Sequence, residues 1–317
     1  MNVMSMSKIV ASMSFTLLAA VSFTSCKKNS TPAPPVSTTI TAQVSAGPTF
    51  TALKSAVVKA GLAATLDGAG PFTVFAPTND AFTASGVTAD VINSLSADQL
   101  KTILLYHTLT SKVMAADVPA GPNAKVITAS GDSVFVTKNA SGVFINGVNV
   151  TKADIPASNG VIHTISRVLM PPTGNIVAEA SADTSLSLLV AAVVRASTGN
   201  TNVAAILSSS SIFTVFAPTN NAFRAAGFPD VATINATNPN TLAGILTYHV
   251  LPGRVFSSDL ADGIKPTTEN GGMVTIGLPS GGATVKGNMN MTASNIVSTN
   301  MMATNGVIHK IDQVLLP

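Results

Sequence analysis

The sequence predicts an α+β protein made of two copies of one unit. A twelve-residue block is nearly repeated, since residues 71–82 are PFTVFAPTNDAF and residues 212–223 are IFTVFAPTNNAF. The period, 141 from Phe72 to Phe213, is far longer than the ~20–50 residues of a solenoid repeat, so each copy is a whole domain. Within each copy, helical periodicity comes first and alternating strands follow, which is the order expected of an α+β domain.

Two further blocks recur in the same order. Tyr106-His107 returns as Tyr248-His249, and residues 158–163 (SNGVIH) return as residues 304–309 (TNGVIH). The offset grows from 141 at the first block to 146 at the last, which indicates five additional residues in the second copy. The turn-rich segment 171–174 separates the copies and predicts domains at 38–172 and 173–317.

Each copy opens with an amphipathic helix and a buried strand. Apolar residues share one helical face in both copies: Phe50, Leu53, Val57 and Val58 in the first, and Leu186, Leu189, Val190, Val193 and Val194 in the second. A strand follows from Phe72 to Ala76 and ends at Pro77. This arrangement predicts an amphipathic helix followed by a buried strand.

Capping motifs predict the next helices. Thr78 and Thr219 directly follow the Ala-Pro pair of each copy and are predicted N-caps, and Asn79 and Asn220 beside them are predicted structural residues. Residues 96–99 have the Ser-x-x-Gln spacing of a capping box, before an apolar helical pattern.

Short strands are predicted after Tyr106. Val134 and Val136 point to one face and their neighbours to the other. The Asn-Gly pairs, Asn159-Gly160 and Asn305-Gly306, are predicted to be structural, with Asn159-Gly160 forming a hairpin turn because both residue types tolerate positive φ.

Charge and composition argue against a nucleic-acid-binding function. Only 10% of the residues are charged, against ~25% in ordinary soluble domains. Three of the 17 Lys and Arg lie in the first 28 residues, and the other 14 balance the 14 Asp and Glu. A nucleic-acid partner is therefore not expected, because the chain lacks the cluster of Lys and Arg that contact with phosphates requires.

The N-terminus has the pattern of an export signal. An apolar run from Ile9 to Val21 is shorter than the ~20 residues of a membrane span, and small residues precede Cys26, the single cysteine. The segment resembles a bacterial lipoprotein leader, although Phe23 stands where Leu is commoner. This resemblance predicts a signal peptide at 1–25, a lipid on Cys26 and a Pro-rich tether at 26–37. The alternative is an ordinary secretory signal followed by a free cysteine.

The three repeated blocks resemble, in order and spacing, the signature segments of the fasciclin (FAS1) domain family. The resemblance covers residues 38 to 317 as two domains. It implies that each domain is a wedge of β-strands packed with a cluster of short helices. It also implies an extracellular or cell-surface protein that acts in adhesion and matrix binding rather than in catalysis.

The family resemblance also suggests partner-binding residues. An Asp-Ile pair before the last block is implicated in receptor binding in animal members, and Asp154-Ile155 matches it in the first copy. The predicted counterpart in the second copy, Asn295-Ile296, lacks the charge. The Tyr-His pair is implicated in adhesion, and the matching residues are Tyr106, His107, Tyr248 and His249. The alternative is a structural role, since these rings and Ile155 have apolar surface to bury.

No residue pattern predicts catalysis or a cofactor. The four histidines form matched pairs, His107 with His249 and His163 with His309. Each copy thus offers two histidines, whereas a catalytic zinc site needs three protein ligands. We expect the histidines to tie strands to loops by hydrogen bonds, and we predict neither a metal site nor an enzyme.

The methionines of the second copy give a test of the alignment. Met289 and Met291 are predicted to replace Val148 and Val150 on the inward face of a strand. The pair Met301-Met302 is predicted to lie in the five-residue insertion and to be exposed.

Together these patterns predict a non-catalytic, lipid-anchored binding module of the outer membrane or cell surface. Its two domains would contact matrix, glycan or a cell-surface protein. The alternative is a periplasmic or surface carrier that holds a small apolar ligand between helices and strands. The oligomeric state, the relative orientation of the domains and the number of binding domains stay open.

Overall fold

The computed structural model describes residues 38–317, which belong to one compact unit, Val36–Pro317. The predicted leader (1–25), the tether (26–37) and Cys26 lie outside the described residues. The described part contains two α+β domains of the same design, which confirms the predicted fold class.

Domain 1 begins with helices and ends with strands. Its helices are α1 (Ile40–Ala46), α2 (Thr51–Lys59), α3 (Ala63–Leu66), α4 (Asn79–Ala84), α5 (Ala89–Ser94) and α6 (Ala97–Tyr106). Its strands are β1 (Phe72–Pro77), β2 (Thr108–Leu109), β3 (Gly121–Ile127), β4 (Ser133–Asn139), β5 (Gly142–Ile145), β6 (Val148–Ala157) and β7 (Gly160–Ile165). A short 3₁₀ helix, Pro48–Phe50, precedes α2.

Domain 2 repeats this order. Its helices are α7 (Ile176–Ala182), α8 (Ser187–Ala196), α9 (Val203–Leu207), α10 (Asn220–Ala225), α11 (Val231–Ala236) and α12 (Pro239–Tyr248). Its strands are β8 (Phe213–Pro218), β9 (Val250–Pro252), β10 (Thr275–Gly277), β11 (Thr284–Lys286), β12 (Ser294–Ala303) and β13 (Gly306–Ile311). Two 3₁₀ helices, Thr184–Leu186 and Ser257–Asp259, complete it.

Each domain joins its first long strand to its last. In domain 1 the sheet order is β2-β1-β7-β6-β5-β4-β3, and in domain 2 it is β10-β11-β12-β13-β8-β9. The central pair is parallel in both: β1 with β7 and β8 with β13. All other strand pairs are antiparallel.

The central strand pair separates two apolar cores in each domain. In domain 1, Val74 and Ile162 pack on the helical side, with α2 and α6. Phe75 and Ile165 pack on the other side, inside the curved part of the sheet. Because both faces are covered, the sequence of these strands is almost continuously apolar rather than alternating.

The predicted caps are present, but one helical face is narrower than predicted. Ser96 and Gln99 form a capping box at the start of α6. Val58 and Val194, predicted to share the inward faces of α2 and α8, are instead 66% and 62% exposed. The inward face consists of Leu53, Ala56 and Val57 in α2, and it includes Leu189, Ala192 and Val193 in α8. Because an alanine one position before Val57 or Val193 completes this face, Val58 and Val194 point away from it.

The methionine prediction is wrong. The amide of Ser166 donates to the carbonyl of Asn149, and the amide of Asp312 donates in the same way to Asn295. Asn295 is thus the counterpart of Asn149, and the additional residues precede β12, in the segment 287–293. Accordingly Met289 and Met291 are 71% and 95% exposed, whereas Met302 is buried within β12.

Candidate functional site

The Tyr-His pair ends the helix that leads into the sheet. In domain 1 the buried hydroxyl of Tyr106 donates to the carbonyl of Ser133 (3.1 Å) and accepts from the amide of Asn146 (2.9 Å). Burial raises the pKa of Tyr106 to about 12. The ring therefore joins α6 to β4 as a neutral phenol.

His107 links the same helix to the end of the domain. Its Nδ1 lies 2.7 Å from the carbonyl of Ile103, and because a carbonyl can only accept, Nδ1 bears the proton. Its Nε2 accepts from the amide of Leu169 at 2.9 Å. Burial lowers the pKa of His107 to about 4, so the ring is neutral at pH 7.

Domain 2 repeats the histidine contacts and varies one tyrosine contact. The hydroxyl of Tyr248 donates to the carbonyl of Met273 and accepts from the backbone N–H of Asn288, whereas Tyr106 accepts from the side-chain amide of Asn146. His249 Nδ1 lies 2.8 Å from Ile245 O, and its Nε2 accepts from Leu315 N at 2.8 Å. Burial lowers the pKa of His249 to about 4. All polar atoms of the two pairs are thus bonded inside their domains, and direct partner contact by these four residues stays a prediction.

The second pair of histidines holds a loop against the last strand. His163 Nε2 donates to the carbonyl of Val113 (2.9 Å), and its Nδ1 accepts from the amide of Asp154 (3.1 Å). His309 makes the same two bonds, to Val255 O and from Asn300 N. Burial lowers the pKa of His309 to about 4. The histidines tie strands to loops, as the sequence predicts.

Asp154 lies at an irregularity in β6, and its predicted counterpart is wrong. Its φ is +59°, and its carboxylate accepts from the amide of Ala115 at 2.9 Å. In domain 2 these features belong to Asn300, with φ of +64° and a bond from Ser257 N at 2.8 Å. Asn300, not Asn295, therefore corresponds to Asp154, because the insertion precedes β12.

The residues beside Asp154 divide between surface and core. The Asp154 side chain is 36% exposed, so its carboxylate can meet a partner. Ile155 is half-buried and packs against the helical core of domain 1. The counterpart of Ile155 is Met301, which packs against the core of domain 2 in the same way.

The Thr-Asn pairs after the central strands are structural. Thr78 and Thr219 accept at the N-termini of α4 and α10, which confirms the predicted caps. Asn79 Oδ1 accepts from the first turn of α2, from Ala52 N at 3.1 Å, and Asn220 Oδ1 accepts from Leu188 N of α8 at 2.9 Å. Each asparagine therefore fixes one helix of the cluster to the next.

The Asn-Gly pairs form the hairpin between the last two strands, but not through positive φ, which neither pair has. Asn159 is buried, accepts from Ile40 N and donates to Leu66 O and Gly68 O. A Cβ on Gly160 would lie 2.0 Å from the carbonyl oxygen of Phe72. Glycine is required by this close approach of the central strand.

Domain 2 has the same arrangement at its Asn-Gly pair. Asn305 accepts from Ile176 N and donates to Leu207 O and Ser209 O. A Cβ on Gly306 would lie 2.1 Å from Phe213 O. The asparagine thus anchors the first helix of each domain to the hairpin.

Domain 1 covers one edge of domain 2. We call residues 254–261 with Asn300 the docking edge of domain 2, and the corresponding residues 112–119 with Asp154 the docking edge of domain 1. Three side chains of domain 1 donate to the docking edge of domain 2: Asn123 to Arg254 O (2.8 Å), Thr137 to Asp259 Oδ1 (3.0 Å) and Asn139 to Ser258 O (3.1 Å). These contacts define an interface between the domains.

Apolar and close backbone contacts complete this interface. The guanidinium of Arg254 lies 4.1 Å from the centre of the Phe135 ring, and Phe135 packs against the buried Phe256 with 6.1 Å between ring centres. Gly147 lies so close to Asn300 that a Cβ would meet the Asn300 amide at 2.5 Å. The sequence did not predict these residues, because no local pattern in either domain indicates a contact with the other domain. The one signal in the sequence is the large apolar ring of Phe135, because the corresponding residue of domain 2 is the polar Thr275.

The docking edge of domain 1 is open by comparison. Lys112, Ala116 and Asp117 are exposed, whereas their counterparts in domain 2 are partly covered.

Among residues 38–317, no group of three or more His, Cys, Asp or Glu side chains is arranged to hold a metal ion.

The length and hydropathy of the helices in residues 38–317 bear on membrane insertion. No helix there is by itself long and apolar enough to cross a membrane. Ile176–Ala182 and Thr184–Ala196 meet the length and hydropathy requirement only when counted together, and they are bent by 105°.

The fold defines the class of protein: tandem α+β domains, each with a curved sheet closed by a parallel strand pair. The model of the fasciclin domain matches residues 48–171 and again residues 186–317. The chain belongs to the fasciclin domain family.

Similar proteins come from bacteria and animals. The protein sll1483 of Synechocystis sp. is 41% identical over 133 residues, which are 41% of this chain and 72% of that protein. Transforming growth factor-beta-induced protein ig-h3 of Oryctolagus cuniculus is 30% identical over 80% of this chain, and human periostin is 28% identical over 80%. The chain spans only 35% and 29% of the lengths of these two relatives.

A solved structure also resembles this chain. It is a FAS1 domain pair from the insect cell adhesion molecule fasciclin I, with 17% identity and a TM-score of 0.41. The likeness covers 84% of this chain and 96% of that chain.

Proposed function

We propose that this protein is a non-catalytic adhesion module of the cell envelope, and that the docking edge of domain 1 is its partner-binding surface. The observation that supports this proposal is the different fate of the two docking edges. In domain 2 the edge is occupied by groups of domain 1. The edge is therefore a shape that receives another folded surface, and domain 1 presents the same shape uncovered.

The contacts in domain 2 indicate the chemistry of the partner. Its docking edge accepts hydrogen bonds from amide and hydroxyl groups, at carbonyl oxygens and at the Asp259 carboxylate. Domain 1 offers Asp117 and Asp154 at the corresponding positions. A matrix or cell-surface protein rich in Asn, Ser and Thr fits this pattern. A glycan offers hydroxyl groups and is the second partner class to test.

A bead assay tests this surface with a matched control. Asp154→Asn preserves the acceptor for Ala115 N, as Asn300 does in domain 2, and removes only the charge. Asp80→Asn removes an exposed charge from α4 of the same domain, away from the docking edge. We expect coated beads to aggregate or to bind matrix protein or a glycan array. Asp154→Asn should reduce this binding several-fold, and Asp80→Asn should leave it unchanged.

Two results would contradict the proposal. One is a wild-type protein that binds no better than a scrambled-sequence control. The other is equal loss in the Asp154→Asn and Asp80→Asn variants, which would mean that net charge rather than the docking edge matters.

The proposed anchor is a lipid on Cys26. Two or three acyl chains hold a protein stably at a membrane, where one chain binds marginally. Growth with a labelled fatty acid should label the protein in its host, and Cys26→Ser should abolish the label and release the protein from the outer membrane fraction. Label that persists in the Cys26→Ser protein would exclude this anchor.

A further inference from the structure

The curved sheet of domain 1 encloses an apolar cavity of about 190 Å³. Its wall includes Phe75, Leu109, Val136 and Ile145, whose side chains belong to the core on that side of the central strands. Protein interiors are close-packed, and an apolar cavity of ~150 Å³ is large enough to hold benzene. The cavity is therefore of the size of a single small ring.

Domain 2 shows which residues create this space. Where domain 1 has Val118, Val136 and Val150, domain 2 has Leu260, Ile276 and Ile296. Each replacement adds one carbon, and all three larger side chains pack in the core of domain 2. At two other wall positions the difference is reversed, since Ile145 and Val143 correspond to the smaller Val285 and Ala283 of domain 2. The two domains thus distribute their side-chain carbons differently around this point, and domain 1 has the smaller side chain at Val118, Val136 and Val150.

Independent contacts establish these correspondences. Val118 and Leu260 each follow an aspartate that accepts from the amide three residues earlier, Asp117 from Met114 and Asp259 from Phe256. Val136 and Ile276 each lie three positions after the carbonyl that accepts from the buried tyrosine hydroxyl.

Strand pairing settles the third correspondence. Val150 pairs with Ile165 in the sheet of domain 1, and Ile296 pairs with Ile311 in the sheet of domain 2.

Two of the three polar side chains in the wall, Thr73 and His163, are bonded within the domain, and the third is Asp117, whose carboxylate accepts from Met114 N (3.0 Å) at the exposed docking edge. The hydroxyl of Thr73 donates to Ser111 O (2.6 Å) and accepts from Val113 N (2.9 Å). Both ring nitrogens of His163 are engaged, with Asp154 N and Val113 O. No donor or acceptor of these two side chains is left for a ligand. An occupant gains mainly from burial of apolar surface, and an anionic occupant would lose its hydration and face the Asp117 carboxylate.

The outer wall of the cavity is the docking edge of domain 1. Ala115, Val118 and Pro119 line it, and the ammonium group of Lys138 holds this loop by donating to Ala115 O (2.9 Å) and Val118 O (3.2 Å). The loop is partly exposed, so this side of the cavity lies next to solvent.

We propose that domain 1 binds one small, uncharged, apolar molecule about the size of a single aromatic ring inside its sheet. The site lies beneath the docking edge and shares Asp117 with it, and the apolar side chains of the wall hold the ligand. The larger side chains of domain 2 at the three corresponding positions provide the substitutions that would fill this space.

Toluene is the test probe, with the full chain as the protein. Titration followed by methyl resonances of Leu109, Val126 and Ile145, wall residues that every variant keeps, should saturate with a dissociation constant on the order of 0.1–1 mM. Benzoate, which has the same ring and a charge, should cause no saturable shift. The triple variant Val118→Leu, Val136→Ile and Val150→Ile should weaken toluene binding at least tenfold. Val58→Ile adds the same carbon at an exposed position and should bind as the wild type does.

The outcomes separate a site from a general effect. No saturable toluene shift in the wild type, or equal binding by the triple variant, would overturn the proposal. If the triple variant does not fold, crystals of the wild-type chain under xenon pressure decide. Xenon density inside the domain 1 sheet supports the site, and a cavity that stays empty refutes it.

Discussion

The two domains share the same buried hydrogen bonds, and they differ at the docking edge and inside the curved sheet. Both use the same Asn-Gly hairpin, the same Tyr-His pair and the same histidine between the last strand and the docking edge. Only domain 2 has its docking edge covered, by residues such as Phe135 and Asn123 of domain 1. Only at domain 1 do three valines stand where domain 2 has larger side chains.

This difference separates the parts of the fold that must stay the same in both copies from the parts that can vary. The buried hydrogen bonds of the hairpin and the histidines cannot change without loss of the fold, because unpaired buried polar groups are costly. The exposed side chains of the docking edge and the apolar side chains inside the sheet have no such constraint. One copy can therefore close its edge in an intramolecular contact while the other keeps it open.

The largest expected effect tests whether the framework is equally strict in both copies. Gly160→Ala and Gly306→Ala should each destabilise the protein by more than about 4 kcal/mol, because the new Cβ would overlap a backbone oxygen of the central strand. Chemical denaturation measures this change. Gly244→Ala, in helix α12 with open space around its Cβ, is the control and should stabilise by ~0.5–1 kcal/mol. A mild effect at only one hairpin would break the equivalence.

Acid should separate the two domains. Burial holds the pKa of His107, His249 and His309 at about 4, below the unfolded value of about 6.5, so the unfolded chain binds protons first as the pH falls. The stability contributed by each neutral ring is complete above pH 6.5 and is lost towards pH 4, by about 2 kcal/mol each at pH 5. Two of these groups lie in domain 2, so that domain should lose more stability.

Hydrogen–deuterium exchange measures this difference peptide by peptide. After correction for intrinsic rates, a change from pH 7.5 to 5 should accelerate exchange more in β8 and β13 than in β1 and β7. Equal acceleration in the two domains would contradict the expectation.

The interface should depend on one aromatic side chain. Phe135→Ala removes the ring that packs on Arg254 and Phe256, and we expect a loss of about 2 kcal/mol. Calorimetry should then show a broader or more clearly split unfolding transition than that of the wild type, because the domains no longer stabilise each other. Thr275→Ala, at the corresponding position of domain 2, should change stability by less than about 0.5 kcal/mol. Equal effects would mean that Phe135 acts within domain 1 alone.

The smallest expected effect tests the position of the insertion. Met289→Ala and Met291→Ala should each change the free energy of unfolding by less than about 0.5 kcal/mol, because both side chains are exposed. Val148→Ala, at a buried position of β6, should cost about 1–2 kcal/mol. A methionine substitution as costly as the valine one would restore the alignment that the structure contradicts.

Sequence patterns predicted the framework because it depends on local chemistry. Thr78, Thr219 and the capping box at Ser96 follow from short-range hydrogen bonds, and the central strands follow from their apolar runs. The Asn-Gly hairpin was located correctly for the wrong reason. Its glycine is required because a strand that is distant in sequence lies close to it, and no local pattern shows this contact.

The sequence by itself determined that the chain is a duplicated α+β fasciclin protein, because repeated blocks with fixed order need no knowledge of contacts. Only the tertiary structure decided that Asn300 corresponds to Asp154, since sequence offsets cannot locate an insertion that backbone hydrogen bonds can. It alone decided that domain 1 covers domain 2 at the docking edge, because that contact joins residues more than a hundred positions apart. The physical reason is the same in both cases: packing between distant segments depends on three-dimensional proximity, and local composition does not encode it.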